Sequence, residues 1–158
     1  TMPAKEISLR KMRWMLFLLG LVKIPIVGFV RPRLISIDDE TVRVKIKLRR
    51  RTKNHLKSMY FGALAVGADV AGGIHAFYFA EKAGSKVSFA FKGMKADFIK
   101  RAESDILFES NEGLLVKQAI ELSKSSGERV NQTIQVKAID QNQEVVATFD
   151  MIVSVKCK

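Results

Sequence analysis

Residues 52–80 read TKNHLKSMYFGALAVGADVAGGIHAFYFA. A polar, basic loop gives way at Met59 to an apolar run that lasts to Ala80 and carries Gly62, Gly67, Gly72 and Gly73. That run is long enough to cross a bilayer. However, Asp69 sits at its centre and His75 follows, and an ionisable group is costly in lipid. A helix that is apolar on every side is otherwise one covered on every side by protein. Its glycines would weaken an exposed helix, but they make sense where a sheet must come close to the helix backbone. The expectation is a central helix with a sheet wrapped around it.

The flanking sequence supplies such a sheet. Leu34-Ile35-Ser36-Ile37 leads into the acidic turn Asp38-Asp39-Glu40, after which Val42, Val44, Ile46 and Leu48 alternate with Arg43, Lys45, Lys47 and Arg49. This period of two marks a strand with one apolar and one basic face. Beyond the helix, Val87, Phe89 and Phe91 alternate with Ser88 and Ala90 in a strand running to Met94. Ala96 to Ile99 and Asp105 to Ser110 read as short strands. Glu112 to Lys124 reads as an amphipathic helix closed by Ser125-Ser126-Gly127. Val130 to Ile139 and Glu144 to Lys156 flank the turn Asp140 to Gln143. The class is α+β, an antiparallel sheet around a long central apolar helix.

Ahead of this domain, placed at 32–158, residues 1–31 form a separate unit. An amphipathic helix from Lys5 to Val22 is expected to be followed by an extended, proline-punctuated connector to Pro32. Trp14 to Val30 imitates a signal peptide, but Lys23 and Pro25 interrupt it and no small-residue cleavage pattern follows. A cytoplasmic protein is expected. Residues 12–30 could cap a pocket, make peripheral contact with a membrane, or extend a dimer interface.

Composition narrows the function. The chain has 158 residues, 27 Lys plus Arg against 16 Asp plus Glu, and a net charge of +11, which points to an anionic partner. Cys157 is the single cysteine, and His55 and His75 are the only histidines. A disulfide scaffold, a zinc finger and a papain-like protease are excluded.

The loop Asn54, the helix start Tyr60-Phe61-Gly62 and the internal Asp69 together resemble the hotdog-fold acyl-CoA thioesterases, in particular the phenylacetate-pathway type. Those enzymes carry a loop Asn, His-Gly-Gly at the start of the central helix, and an acidic residue within it. The stretch NHLKSMYFGALAVGAD is similar to an uncharacterised bacterial thioesterase-like hotdog subgroup. The resemblance runs from about Pro32 to the end of the chain. Tyr60 and Phe61 depart from it, replacing the His and the first Gly with bulkier side chains.

The resemblance implies a hotdog fold with an extra N-terminal helix, and hydrolysis of acyl-CoA to free acid and coenzyme A. It requires no metal, and no cofactor beyond the coenzyme A of the substrate. Asp69 would be the general base or nucleophile, Phe61 and Gly62 the backbone donors to the thioester carbonyl, and Asn54 the orienting amide. A helix N-terminus offers unpaired N–H groups and a positive dipole end for that purpose. Eight residues of helix separate Phe61 from Asp69 by about 12 Å, too far to act on one thioester within one chain. The catalytic reading therefore needs a homodimer, or a dimer of dimers, with antiparallel central helices. Arg49, Arg50, Arg51 and Lys57 are candidates to hold the coenzyme A phosphates, with a solvated sheet face as the plainer alternative. Nucleic acid is disfavoured, because no recognition helix is present and Trp14, Tyr60 and Tyr78 do not interleave with the basic stripe. Two other readings stay open: a hotdog protein that binds acyl groups or coenzyme A without catalysis, with Asp69 a structural polar group, and a hydroxyacyl dehydratase, for which His55 is badly placed.

Overall fold

The computed structural model describes residues 6–158. Six strands form one antiparallel sheet: β1 (Arg33–Ile37), β2 (Val42–Ile46), β3 (Val87–Phe98), β4 (Ile106–Ser110), β5 (Val130–Ile139) and β6 (Val145–Cys157). Their spatial order is β1-β2-β4-β5-β6-β3. Four α-helices accompany the sheet: α1 (Leu9–Leu18), α2 (Pro25–Val30), α3 (Phe61–Ala83) and α4 (Gly113–Ser126), with a π-helical turn, Leu19–Lys23, joining α1 to α2.

Alternation decides which face of the sheet looks inward. Val42, Val44 and Ile46 of β2 are fully buried, while Arg43 and Lys47 point out. Val44 pairs with Leu34 on one side and Phe108 on the other, so three apolar side chains form a rung against the helix. On β6 the same alternation buries Phe149, Met151, Val153 and Val155. α3 fills the concavity. By length and composition it could cross a membrane, yet 72% of its most apolar window is buried inside the protein. The expectation of a protein-covered helix holds.

The close approach predicted from the glycines is visible at two positions. A Cβ on Gly67 would lie 2.3 Å from the ring of Phe108, and one on Gly73 would lie 2.7 Å from Phe89. The sheet's aromatic rings thus rest on the helix backbone itself. His75 ties the helix to the β1–β2 turn: it is buried, and its Nε2 lies 2.9 Å from the Asp38 carbonyl oxygen. Burial holds this imidazole below its usual pKa. α4 packs across β5 and β6 through Val116, Ala119 and Ile120.

Two expectations need correcting. Val87 to Met94 and Ala96 to Ile99 are one twelve-residue strand, β3, paired with β6 along its length. A register shift between Phe91 and Gly93 breaks the alternation that would have shown continuity. The connector before Pro32 is not extended. Pro25 occupies the first turn of α2, where its missing N–H costs nothing, and Arg31 closes that helix in the left-handed region (φ 58°). The amphipathic N-terminal helix is real but shorter than expected, and its expected first residue, Lys5, lies outside the described residues.

Gly67→Ala should lower stability by about 1–3 kcal/mol through overpacking against Phe108, outweighing the gain in helix propensity of up to about 1 kcal/mol. A lower urea midpoint at unchanged slope would show it. An unchanged or raised midpoint would mean that the ring yields.

Candidate active site

Asp69 lies two turns inside α3, on the face that also carries Gly73 and Phe77. It is half-buried and makes no hydrogen bond or ion pair with any described residue. Its carboxylate borders a chamber of about 510 Å³. Val70, Gly73, Ile74 and Phe77 continue the wall along α3, Phe89 of β3 closes one side, and Met12, Met15, Leu16 and Leu19 form the roof. Among the described residues, Lys23 is the only other ionisable group in this lining. Desolvation alone raises the Asp69 pKa above its ordinary 3.8. A carboxylate with no donor to satisfy it, in an apolar chamber, is poised to accept a proton from water.

The helix start is built separately. Tyr60 caps α3 in an extended conformation (φ −61°, ψ 137°), and its N–H donates to the Thr52 carbonyl at 2.8 Å. The first helical hydrogen bond runs from Leu64 N–H to the Tyr60 carbonyl (3.1 Å), so the N–H groups of Phe61, Gly62 and Ala63 precede the helical ladder. Phe61 is 60% exposed, its ring tilted against Tyr60 and edge-on to Phe98, and it does not line the Asp69 chamber. A Cβ on Gly62 would lie 2.3 Å from the half-exposed Tyr60 ring, so a larger residue there would displace that ring.

Asn54 is turned to its own loop. Its Oδ1 accepts the N–H groups of Leu56 (2.9 Å) and Ser58 (3.1 Å). Arg101 clamps the same loop by donating to the Leu56 carbonyl (2.6 Å) and to Ser58 Oγ (3.0 Å). The amide nitrogen of Asn54 is the group left to meet a ligand. Within one chain, then, the structure places Asp69 in one cavity, and Asn54, Phe61 and Gly62 at a different end of α3. It does not bring the four together.

The basic residues converge only in part. Arg49, Arg50 and Arg51 line a groove of about 570 Å³ with Arg31, Arg33, Lys45 and Lys47. Lys57 does not line it; it sits in the loop tip in the left-handed region (φ 62°). Arg43 is paired with Glu109 at 2.8 Å and Lys45 with Asp105 at 3.6 Å. Arg31, Arg33, Lys47, Arg49, Arg50 and Arg51 make no ion pair with the described residues. Sequence reasoning missed Arg31 and Arg33. The signal was available in the hairpin, since Arg33 pairs with Lys45 across β1 and β2 and so shares its outer face. Capping a pocket was one of the roles left open for residues 12–30, and the docking of α1 puts Met12, Met15, Leu16 and Leu19 in that role.

Residues 13–155 match one family model over most of the chain. The chain belongs to the family described as a domain of unknown function, DUF4442. No curated protein matches this DUF4442 member. Among solved structures it is similar to a Pseudomonas aeruginosa protein of unknown function described as a "probable thioesterase", at 21% identity and TM-score 0.78, covering 99% of this chain and 100% of that one. It is also similar to a Haemophilus influenzae thioesterase (10% identity, TM-score 0.69, 98% and 94% covered). A mutant thioesterase from Pseudomonas aeruginosa matches at 12% identity and TM-score 0.70, over 100% of both chains. At these identities the likeness shows the fold, which is the hotdog arrangement of sheet and central helix.

The raised Asp69 pKa sets a sign for stability. Below about pH 3.8 the carboxyl is neutral in both folded and unfolded chains and costs nothing. As pH rises through the folded pKa, the buried charge weakens the fold. Asp69→Asn should therefore raise the urea midpoint at pH 7, with the gap closing as pH falls towards 3.8. A variant less stable than wild type at pH 7 would show that the carboxylate has a partner.

Proposed function

We propose that this DUF4442 member hydrolyses a thioester with an apolar acyl group, with Asp69 as its general base. The observation that carries the reading is the desolvated carboxylate in a chamber that is apolar apart from Lys23. The chamber takes the acyl chain, and Asp69 either removes a proton from water as it attacks the carbonyl carbon or attacks that carbon itself. The Phe61 and Gly62 N–H groups, at the positive end of α3, stabilise the oxyanion. On the first route the tetrahedral intermediate collapses to the free acid, and the proton taken by Asp69 passes to the departing thiolate. On the second, collapse expels the thiolate and leaves an acyl–Asp69 anhydride, which water then cleaves to the free acid.

The eight-residue separation supports a site shared between two subunits, with donors from one and base from the other. β3 is the strand that suits this pairing. It ends the sheet, runs for twelve residues and pairs on one side only. An open edge of that length is a ready template for a second copy. Coenzyme A is the carrier that fits the unpaired arginines, whose groove would take its phosphates by charge-assisted hydrogen bonds. The groove and the chamber share no lining residue, so the carrier assignment is independent of the hydrolytic one.

Free-thiol release from a panel of acyl-CoAs, short to long and aromatic, tests the reading. Asp69→Asn should cut kcat/KM by about 10²–10⁴-fold. Saturable binding with no thiol release by a folded dimer would assign a binding protein instead. The donor role has its own test. Phe61 is the first helical residue and follows an extended Tyr60, so Phe61→Pro removes one N–H without breaking the helix. It should lose about 10²–10³-fold in kcat while Phe61→Ala, which keeps the N–H, retains most activity. Mixing Asp69→Asn with Phe61→Pro subunits should restore activity, since one hybrid site is then intact. Failure to restore it would place donors and base in the same subunit.

A further inference from the structure

The N-terminal segment has two sides, and only the inner one has a partner. Met12 and Leu16 face the chamber. On the outer side Leu21 is 65% exposed, Ile26 63% and Trp14 59%, with Phe17 and Phe29 each more than half exposed. An isolated exposed apolar residue needs no explanation, but a run of large ones on one short segment marks an interaction surface. This surface is held in shape. A Cβ on Gly28 would lie 2.4 Å from the Gly20 carbonyl oxygen, and one on Gly20 would lie 2.8 Å from the Gly28 Cα, so the π-helical turn and α2 cross backbone to backbone. Trp14 and Phe17 stack at 5.6 Å between ring centroids. Arg13 Nε donates to the Leu34 carbonyl at 2.7 Å, pinning α1 to the sheet.

The charge pattern says what covers it. From Ile7 to Ile37 the chain has no Asp or Glu, while Arg10, Lys11, Arg13, Lys23, Arg31 and Arg33 fall within it. Lys11 is taken by Glu81, and Arg51 lies over the exposed Phe29 ring at 5.3 Å. The apolar groove between α1 and α2 is edged by Arg13, Arg31 and Arg33. A second copy meeting this surface face to face would set cations against cations, a repulsive arrangement, and the β3 edge already offers a copy a better place. A layer of hydrocarbon beneath anionic headgroups satisfies both features at once: the rings and aliphatic side chains enter the interface and the cations meet the phosphates.

We infer that the outer face of the hairpin from Leu9 to Val30 docks on an anionic lipid bilayer surface, lying in the interface without spanning it. The inference needs no catalysis. Trp14 is the sole tryptophan, so its emission reports the docking directly. The experiment is flotation of the full chain with vesicles of equimolar phosphatidylcholine and phosphatidylglycerol, beside vesicles of phosphatidylcholine alone, with Trp14 emission recorded in each. Wild type should float with the anionic vesicles, with a blue-shifted emission, and lose both on raising salt. Leu21→Asp with Ile26→Asp, neither of which lines the Asp69 chamber, should weaken binding about a hundredfold. Its oligomeric state, thermal midpoint and turnover of a short water-soluble thioester should stay unchanged. Failure of wild type to float, or equal flotation by the variant, would overturn the inference. So would dissociation of the oligomer by the variant in sedimentation equilibrium, which would assign the face to a second copy.

Discussion

Everything in this structure follows from the need to cover one helix on all sides. α3 has no polar face to leave in water, so the sheet, α4 and the N-terminal hairpin must together surround it. The sheet comes closest because Gly67 and Gly73 let Phe108 and Phe89 rest on the helix backbone. The acidic turn after β1 is held to the same helix through His75. Along the ridge bearing Asp69, Gly73 and Phe77 the sheet covers one side only, through Phe89, and α1 supplies the roof. The chamber is what remains where the cover is made of a separate piece.

That origin explains why Asp69 has no partner among the described residues. A polar group in the interior is ordinarily paired, and His75, six residues on in the same helix, is. Asp69 faces the seam between α3 and the N-terminal helices, where apart from Lys23 the neighbouring side chains are apolar. Its isolation is a property of the docking of α1, and of nothing in its local sequence.

The division between what could and could not be read from sequence runs along the same line. Period-two alternation and a glycine-bearing apolar run are local signals, and they yielded the strands of the hairpins, the buried central helix and the antiparallel class. The β-bulge near Gly93 defeated alternation because one extra residue inverts the faces beyond it. Pro25 was read as a breaker when it begins a helix. For the site, Asp69 was legible because an acid in an apolar run conflicts with its surroundings. Asn54 was legible as a residue but not as the hub of its own loop, since that role depends on the Leu56 and Ser58 N–H groups turning back to it. Arg49, Arg50 and Arg51 were placed together by adjacency, whereas Arg31 and Arg33 needed the strand pairing, and Lys57 was carried along by proximity in sequence alone.

The first hairpin also sorts charge along its length. Arg31 and Arg33 stand at the start of β1, and β2 returns to that same end to deliver Lys47 and then Arg49, Arg50 and Arg51. Asp38, Asp39 and Glu40 occupy the opposite end, roughly 16 Å away at the rise of a five-residue strand. Lys82 offsets Asp39, but the end remains acidic. This edge of the molecule is therefore an electric dipole as well as a net cation. Along this edge a polyanion is drawn to the arginine end and repelled from the acidic turn, so the hairpin's contribution to the field favours an approach with the arginines leading.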